Sequence, residues 1–114
     1  MEQSDFFKSR FHRFQKSHPN EALAVSDNLD TYFETLCSLG SPLQVKAGFI
    51  HHESNGIKAI DQKGGPGKLM QTRLYIYPEV ERQILHVINI GTKIDQKKDV
   101  QKCRDYIKPL KTGR

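Results

Sequence analysis

Arg73 stands in the run Met70–Tyr77, where alternation sets Met70, Thr72, Leu74 and Ile76 on one side of an extended chain and Gln71, Arg73, Tyr75 and Tyr77 on the other. A guanidinium is a planar fork that fits a phosphate, and phenol rings beside it can stack on bases, so this face has the chemistry of a nucleic-acid contact. The competing reading is that Tyr is simply a good strand former. His86, on the next apolar run, is the general acid or base candidate by residue type, because imidazole titrates near neutrality. Strand register decides its role: one register turns it into the helix layer as a satisfied core histidine, and a slip of one residue sets it beside Arg73. His51-His52-Glu53 can join a proton-transfer site, but adjacent histidines lack the i, i+4 spacing of a helical metal pair. No metal and no cofactor are expected. Lys97, Lys98, Lys102 and Arg104 can hold RNA phosphates, or they form a solvated helix face.

These groups need a scaffold, and the apolar pattern supplies one. Phe7, Phe11 and Phe14 recur at helical spacing through Asp5–Lys16, which predicts an amphipathic first helix. A second helix starts near Pro19 and runs to about Leu39 on a stripe of Leu29, Tyr32, Phe33 and Leu36, with Gly40 as its terminator. Residues 41–54 lose the periodicity and are read as a loop. Gly56–Gln62 and Leu69–Tyr77 form a hairpin through a turn at Gly64–Gly67, and Pro78–Arg82 leads into a return strand, Gln83–Gly91, that is apolar on both faces. Although glycine-rich, Gly64–Gly67 lacks the following Lys-Ser/Thr and leads into a strand, which argues against a phosphate loop. Asp95–Leu110 closes the chain as a helix with Val100, Cys103, Tyr106, Ile107 and Leu110 on one side. The expected fold is α+β: two N-terminal helices packed on a small, mainly antiparallel three- or four-stranded sheet, with a C-terminal helix. All helices are placed on one sheet face, leaving the other for function.

The length of 114 residues suits one domain over 1–114, with 36% hydrophobic and 27% charged residues. No run approaches the roughly 18 apolar residues that span a bilayer, and charges through the first sixteen residues interrupt any secretory signal, so a cytoplasmic protein with no membrane partner is expected. Cys37 and Cys103 have no metal-ligand spacing and are read as free thiols. The net charge of +5 is uneven: residues 1–56 hold five Lys/Arg against seven Asp/Glu, and 57–114 hold thirteen against six, giving −2 and +7. A basic half of this size attracts an acidic partner, either nucleic acid or an acidic protein segment.

The run Thr72-Arg73-Leu74-Tyr75, the return strand ending Ile90-Gly91-Thr92-Lys93 and the following Asp95-Gln96-Lys97-Lys98-Asp99 resemble the RelE/ParE toxin superfamily, in particular its RelE- and HigB-like branches, over roughly residues 5 to 110. The resemblance implies the toxin of a type II toxin–antitoxin system: a ribosome-dependent messenger RNA endoribonuclease that inhibits translation and is held inactive by a cognate antitoxin. It implies attack of a ribose 2′-hydroxyl on the adjacent phosphate, with Arg73 clamping the phosphate, Lys93 offsetting developing charge or protonating the leaving oxygen, and Lys58 as base if neighbouring cations lower its pKa. His86 completes the catalytic candidates, and Tyr75, Lys97, Lys98 and Lys102 are the RNA-binding ones. An acidic, helix-forming antitoxin is expected to cover the basic sheet face. Many relatives open with a strand before the helices, whereas only Met1–Ser4 precede the first helix here, so that strand is expected to be absent or very short. A ParE-like action on a protein such as gyrase, or a non-catalytic RNA- or protein-binding module, are the alternatives.

Overall fold

The computed structural model describes residues 1–46, 48–64 and 69–111. Its elements are β1 (Glu2–Gln3), α1 (Asp5–Ser17), α2 (Pro19–Leu39), β2 (Ile50–His52), β3 (Lys58–Gly64), β4 (Leu69–Glu79), β5 (Ile84–Thr92) and α3 (Gln96–Lys111), with 3-10 turns at Pro42–Gln44, Ser54–Gly56 and Lys93–Asp95. The five strands form one sheet in the order β1-β5-β4-β3-β2; β1 is parallel to β5 and every other pairing is antiparallel. The α+β class and the helix order are as expected, and the sheet has five strands where three or four were expected, two of them outside the central three. One is the very short opening strand, and the other is β2, which lies in the stretch read as a loop. Beyond Gly64, the Gly64–Gly67 turn lies outside the described residues.

The helices do not share one face. Phe7 of α1 and Val25, Leu29 and Tyr32 of α2 pack on Ile60, Leu74, Ile76, Leu85, Val87 and Ile90 of the sheet. Val100, Cys103 and Ile107 of α3 pack on Ile57, Ala59, Tyr75 and Ile88 from the opposite side. The expectation of an open second face is therefore corrected: α3 covers it along β5 and β4. The physical reason is visible in both elements, since α3 carries an apolar stripe that needs a partner and β5 is apolar on both faces.

Ser4 ties the edge of the sheet to the first helix. Its backbone N–H donates to Val87 O at 3.0 Å, continuing the β1 ladder. Its hydroxyl oxygen accepts from Phe7 N–H at 3.0 Å as the α1 N-cap and donates to Ile88 O at 2.9 Å. Gly91 answers a different requirement. A Cβ there would fall on Asp99 Oδ2 and within 3.1 Å of Arg10 Nη2, so only a glycine lets the first turn of α3 sit this close to β5.

Candidate functional site

Alternation along β2, β3 and β4 brings His51, Asp61, Gln71 and Arg73 onto the α3 face at the β2 end of the sheet, with register pairs His51↔Ala59 and Asp61↔Arg73. Asp61 is the node. It is 5% exposed, its Oδ2 lies 3.1 Å from His51 Nε2, and Gln71 Nε2 donates to both its oxygens at 3.1 and 3.2 Å. Arg73 Nε lies 3.9 Å from Asp61 Oδ1, and Arg73 Nη1 lies 3.4 Å from Glu53 Oε2. Arg73 is thus a buried cation held between two carboxylates, whereas the His51 side chain is 44% exposed. In this conformation Arg73 fixes Asp61 and Glu53 instead of presenting an unpaired fork to a phosphate.

The other predicted catalytic residues do not join this cluster. Lys58 lies opposite Ile76 on the α1/α2 side of the sheet, with Nζ 3.1 Å from His52 Nδ1. Its pKa is lowered, as a base would require, but burial is the cause, and no cation among the described residues contributes. His86 pairs with Tyr77, four positions from Arg73 along β4, about 13 Å at ~3.3 Å per residue. A bulge at Ile88, where Tyr75↔Asn89 is followed by Ile76↔Val87, sets this parity. His86 Nε2 lies 2.8 Å from Glu79 Oε1, Tyr106 OH lies 3.3 Å from its Nδ1, and the ring is 1% exposed. It is a satisfied core histidine. Glu79 also accepts two bonds from Arg82, at 2.8 and 2.9 Å, and the Arg82 and His86 bonds hold its carboxyl down at about 2. Lys93 is exposed at the start of the turn after β5.

Tyr75 is fully buried beneath α3, and its hydroxyl has no hydrogen-bond partner among the described residues. Its ring belongs to the core and offers no face to a base. Tyr77 is the ring nearer the surface: Gly56, at φ +83, packs against it so closely that a Cβ would lie 3.3 Å from Cε1, and Lys111 Nζ lies 5.8 Å from its centroid. At about 100° per residue, the cations of α3 fall on two edges of its exposed face. Lys97, Arg104, Lys108 and Lys111 follow one edge, which Arg104 joins to the turn after β2 through Nη1 to Ser54 Oγ at 2.7 Å. Lys98 and Lys102 follow the other, where Lys102 Nζ sits 4.4 Å over the Phe6 ring. The predicted RNA-binding lysines are therefore divided, and Lys97 lies on the edge that carries Arg104 and Lys111.

No family model, curated protein or solved structure matches this chain. A half-exposed imidazole backed by a buried carboxylate is suited to proton transfer, and the adjacent cationic edge is suited to a polyanion. Sequence reasoning named His51 and Glu53 but missed Asp61 and Gln71. Their signal was parity alone: Asp61 and Arg73 meet only once the β3–β4 register is known.

Proposed function

We propose that this chain is a RelE-like toxin, a ribosome-dependent messenger RNA endoribonuclease that inhibits translation and is neutralised by an acidic antitoxin. The observation that carries this reading is the cationic edge of α3, Lys97, Arg104, Lys108 and Lys111, which runs beside the Tyr77 ring to the turn after β2. A row of cations next to an aromatic ring is what single-stranded RNA requires: phosphates are neutralised along the row and a base stacks on the ring. The opening strand β1 agrees with the element order that the resemblance implies. With the sheet face covered, the antitoxin's docking surface becomes the outer face of α3.

The test joins binding to cleavage. Four phosphate contacts to a single strand give a slope of about −2.8 in log affinity against log salt. Neutralising Lys108 and Lys111 is expected to reduce the slope to about half, whereas neutralising Lys98 and Lys102 leaves it unchanged. In a cell-free translation system the wild-type chain is expected to cut ribosome-bound message. A flat salt dependence with uncut message refutes the reading. Salt-dependent binding without cleavage supports instead a binding module of the same fold, which the pairing of Arg73 with Glu53 and Asp61 favours.

A further inference from the structure

We infer that His51 is the general base of this site, positioned by Asp61, and that the group it deprotonates is a ribose 2′-hydroxyl; this rests on the RNA reading above. Asp61 is a buried carboxylate whose oxygens accept two bonds from Gln71, with the Arg73 guanidinium 3.9 Å away as its counter-ion. We assign His51 the tautomer with hydrogen on Nε2, donating to Asp61 across the 3.1 Å contact. Nδ1 is then the nitrogen with a lone pair, on a side chain that is 44% exposed at the edge strand of the sheet. A carboxylate that fixes tautomer and ring orientation behind an accessible imidazole is the arrangement of a general base.

Asp61 of β3 is the group bonded to His51; Arg73 of β4 reaches it through Asp61 and also pairs with Glu53 just after β2, and Arg104 of α3 bonds Ser54 in the following turn. Arg73 keeps the two carboxylates from leaving a bare negative patch where a phosphate must approach. His52 does not share this role, because it pairs with Lys58 and its Nδ1 is engaged by that ammonium on the other side of the sheet.

The reaction balances without a co-reactant. The 2′-hydroxyl gives its proton to His51 Nδ1, the 2′ oxygen forms a bond to phosphorus, and the bond from phosphorus to the 5′ oxygen breaks. The imidazolium then returns the proton to the departing 5′ oxygen, directly or through water. The products are a 2′,3′-cyclic phosphate and a 5′-hydroxyl end.

The experiment uses the full chain in a ribosome-containing translation mixture, with cut message read by primer extension. His51→Ala is expected to lower the cleavage rate by about 100- to 10,000-fold. Free imidazole should restore part of the rate, binding of a 2′-deoxy oligonucleotide should be unchanged, and His52→Ala should cleave as the wild type does. Asp61→Asn should reduce kcat with KM little altered. Circular dichroism keeps loss of folding apart from loss of the base, and His51→Gln provides a second variant at this half-exposed position. If the wild type cuts message and His51→Ala cuts at the same rate, or imidazole gives no recovery, this assignment is overturned while the RNA reading stands. If the wild type binds RNA but cuts none, the assignment falls with the nuclease reading. A lack of binding removes both.

Discussion

Gly91→Ala tests how α3 is seated on the sheet. Gly91 lies opposite Arg73 in β5, and the added methyl would fall on Asp99 Oδ2. Asp99 cannot swing aside freely: it is 2% exposed in the first turn of α3, and its Oδ1 accepts from Arg10 Nη1 at 2.7 Å. Either the turn lifts or the carboxylate leaves Arg10. Breaking a buried ion pair costs about 3–5 kcal/mol. The Arg10 side chain is 24% exposed and lies 3.7 Å from Asp95, which retains part of its pairing, so the low end of that range applies. Alanine restricts the unfolded chain and returns about 0.4–1 kcal/mol. The expected net loss is about 2 kcal/mol, which lowers a urea midpoint by about 1 M at the slopes of small domains. In an Asp99→Ala background the methyl has room, and Gly91→Ala should become neutral or slightly stabilising, a coupling of about 2 kcal/mol. Equal costs in both backgrounds would show that the carboxylate is not what excludes a side chain at this position.

Ser4→Ala should cost about 1–2 kcal/mol in urea unfolding, because α1 loses its N-cap acceptor and the Ile88 carbonyl loses a donor; a loss below about 0.5 kcal/mol contradicts the double role. The Glu79 carboxyl, held at about 2 against an unfolded value of about 4.3, stabilises the fold above roughly pH 4, and that contribution disappears as pH falls towards 2. Glu79→Gln should therefore flatten the acid limb of a stability–pH curve, and an unchanged limb counts against the Arg82 and His86 bonds. Tyr75→Phe should be neutral or up to about 1 kcal/mol stabilising, since it deletes a buried hydroxyl without a partner among the described residues, and it should leave RNA affinity unchanged. Tyr77→Ala should weaken RNA binding by about 1–3 kcal/mol if a base stacks there, and equal effects at both tyrosines would reverse their assignment.

The helices and the three central strands were legible because each has its own period. The Phe7, Phe11, Phe14 stripe marks α1, and Leu29, Tyr32, Phe33, Leu36 marks α2. The second layer was also written in the chain, in the two-sided apolar character of β5, but its consequence for α3 required joining two distant segments. β1 and β2 have two and three residues, too few for any periodicity, and exist because neighbours pair with them. The site was half legible for the same reason. Residue type picked out Arg73, His51 and His86, whereas their surroundings depend on register and on the bulge at Ile88, which local pattern does not encode. Lys58 shows the limit from the other direction: a role as base was made conditional on neighbouring cations lowering its pKa, whereas burial lowers it, on the face away from Arg73.

Three polar clusters on the α3 face separate structural work from functional opportunity. Glu79, His86 and Tyr106 tie β4 and β5 to α3, and the imidazole between them is almost wholly enclosed. Arg10, Asn89 and Asp99 tie α1, β5 and α3, again with their carboxylate enclosed. Both hold the layers in register, and neither leaves an accessible lone pair for a substrate. The cluster of His51, Asp61, Gln71 and Arg73 takes no residue from α3. It joins β2, β3 and β4, and its outermost member is a half-exposed imidazole whose Nε2 lies 3.1 Å from Asp61. The His51 network is buried at Asp61 and Arg73 and half-exposed at His51, and that asymmetry is the reason the proposed base is His51 instead of the better-enclosed His86.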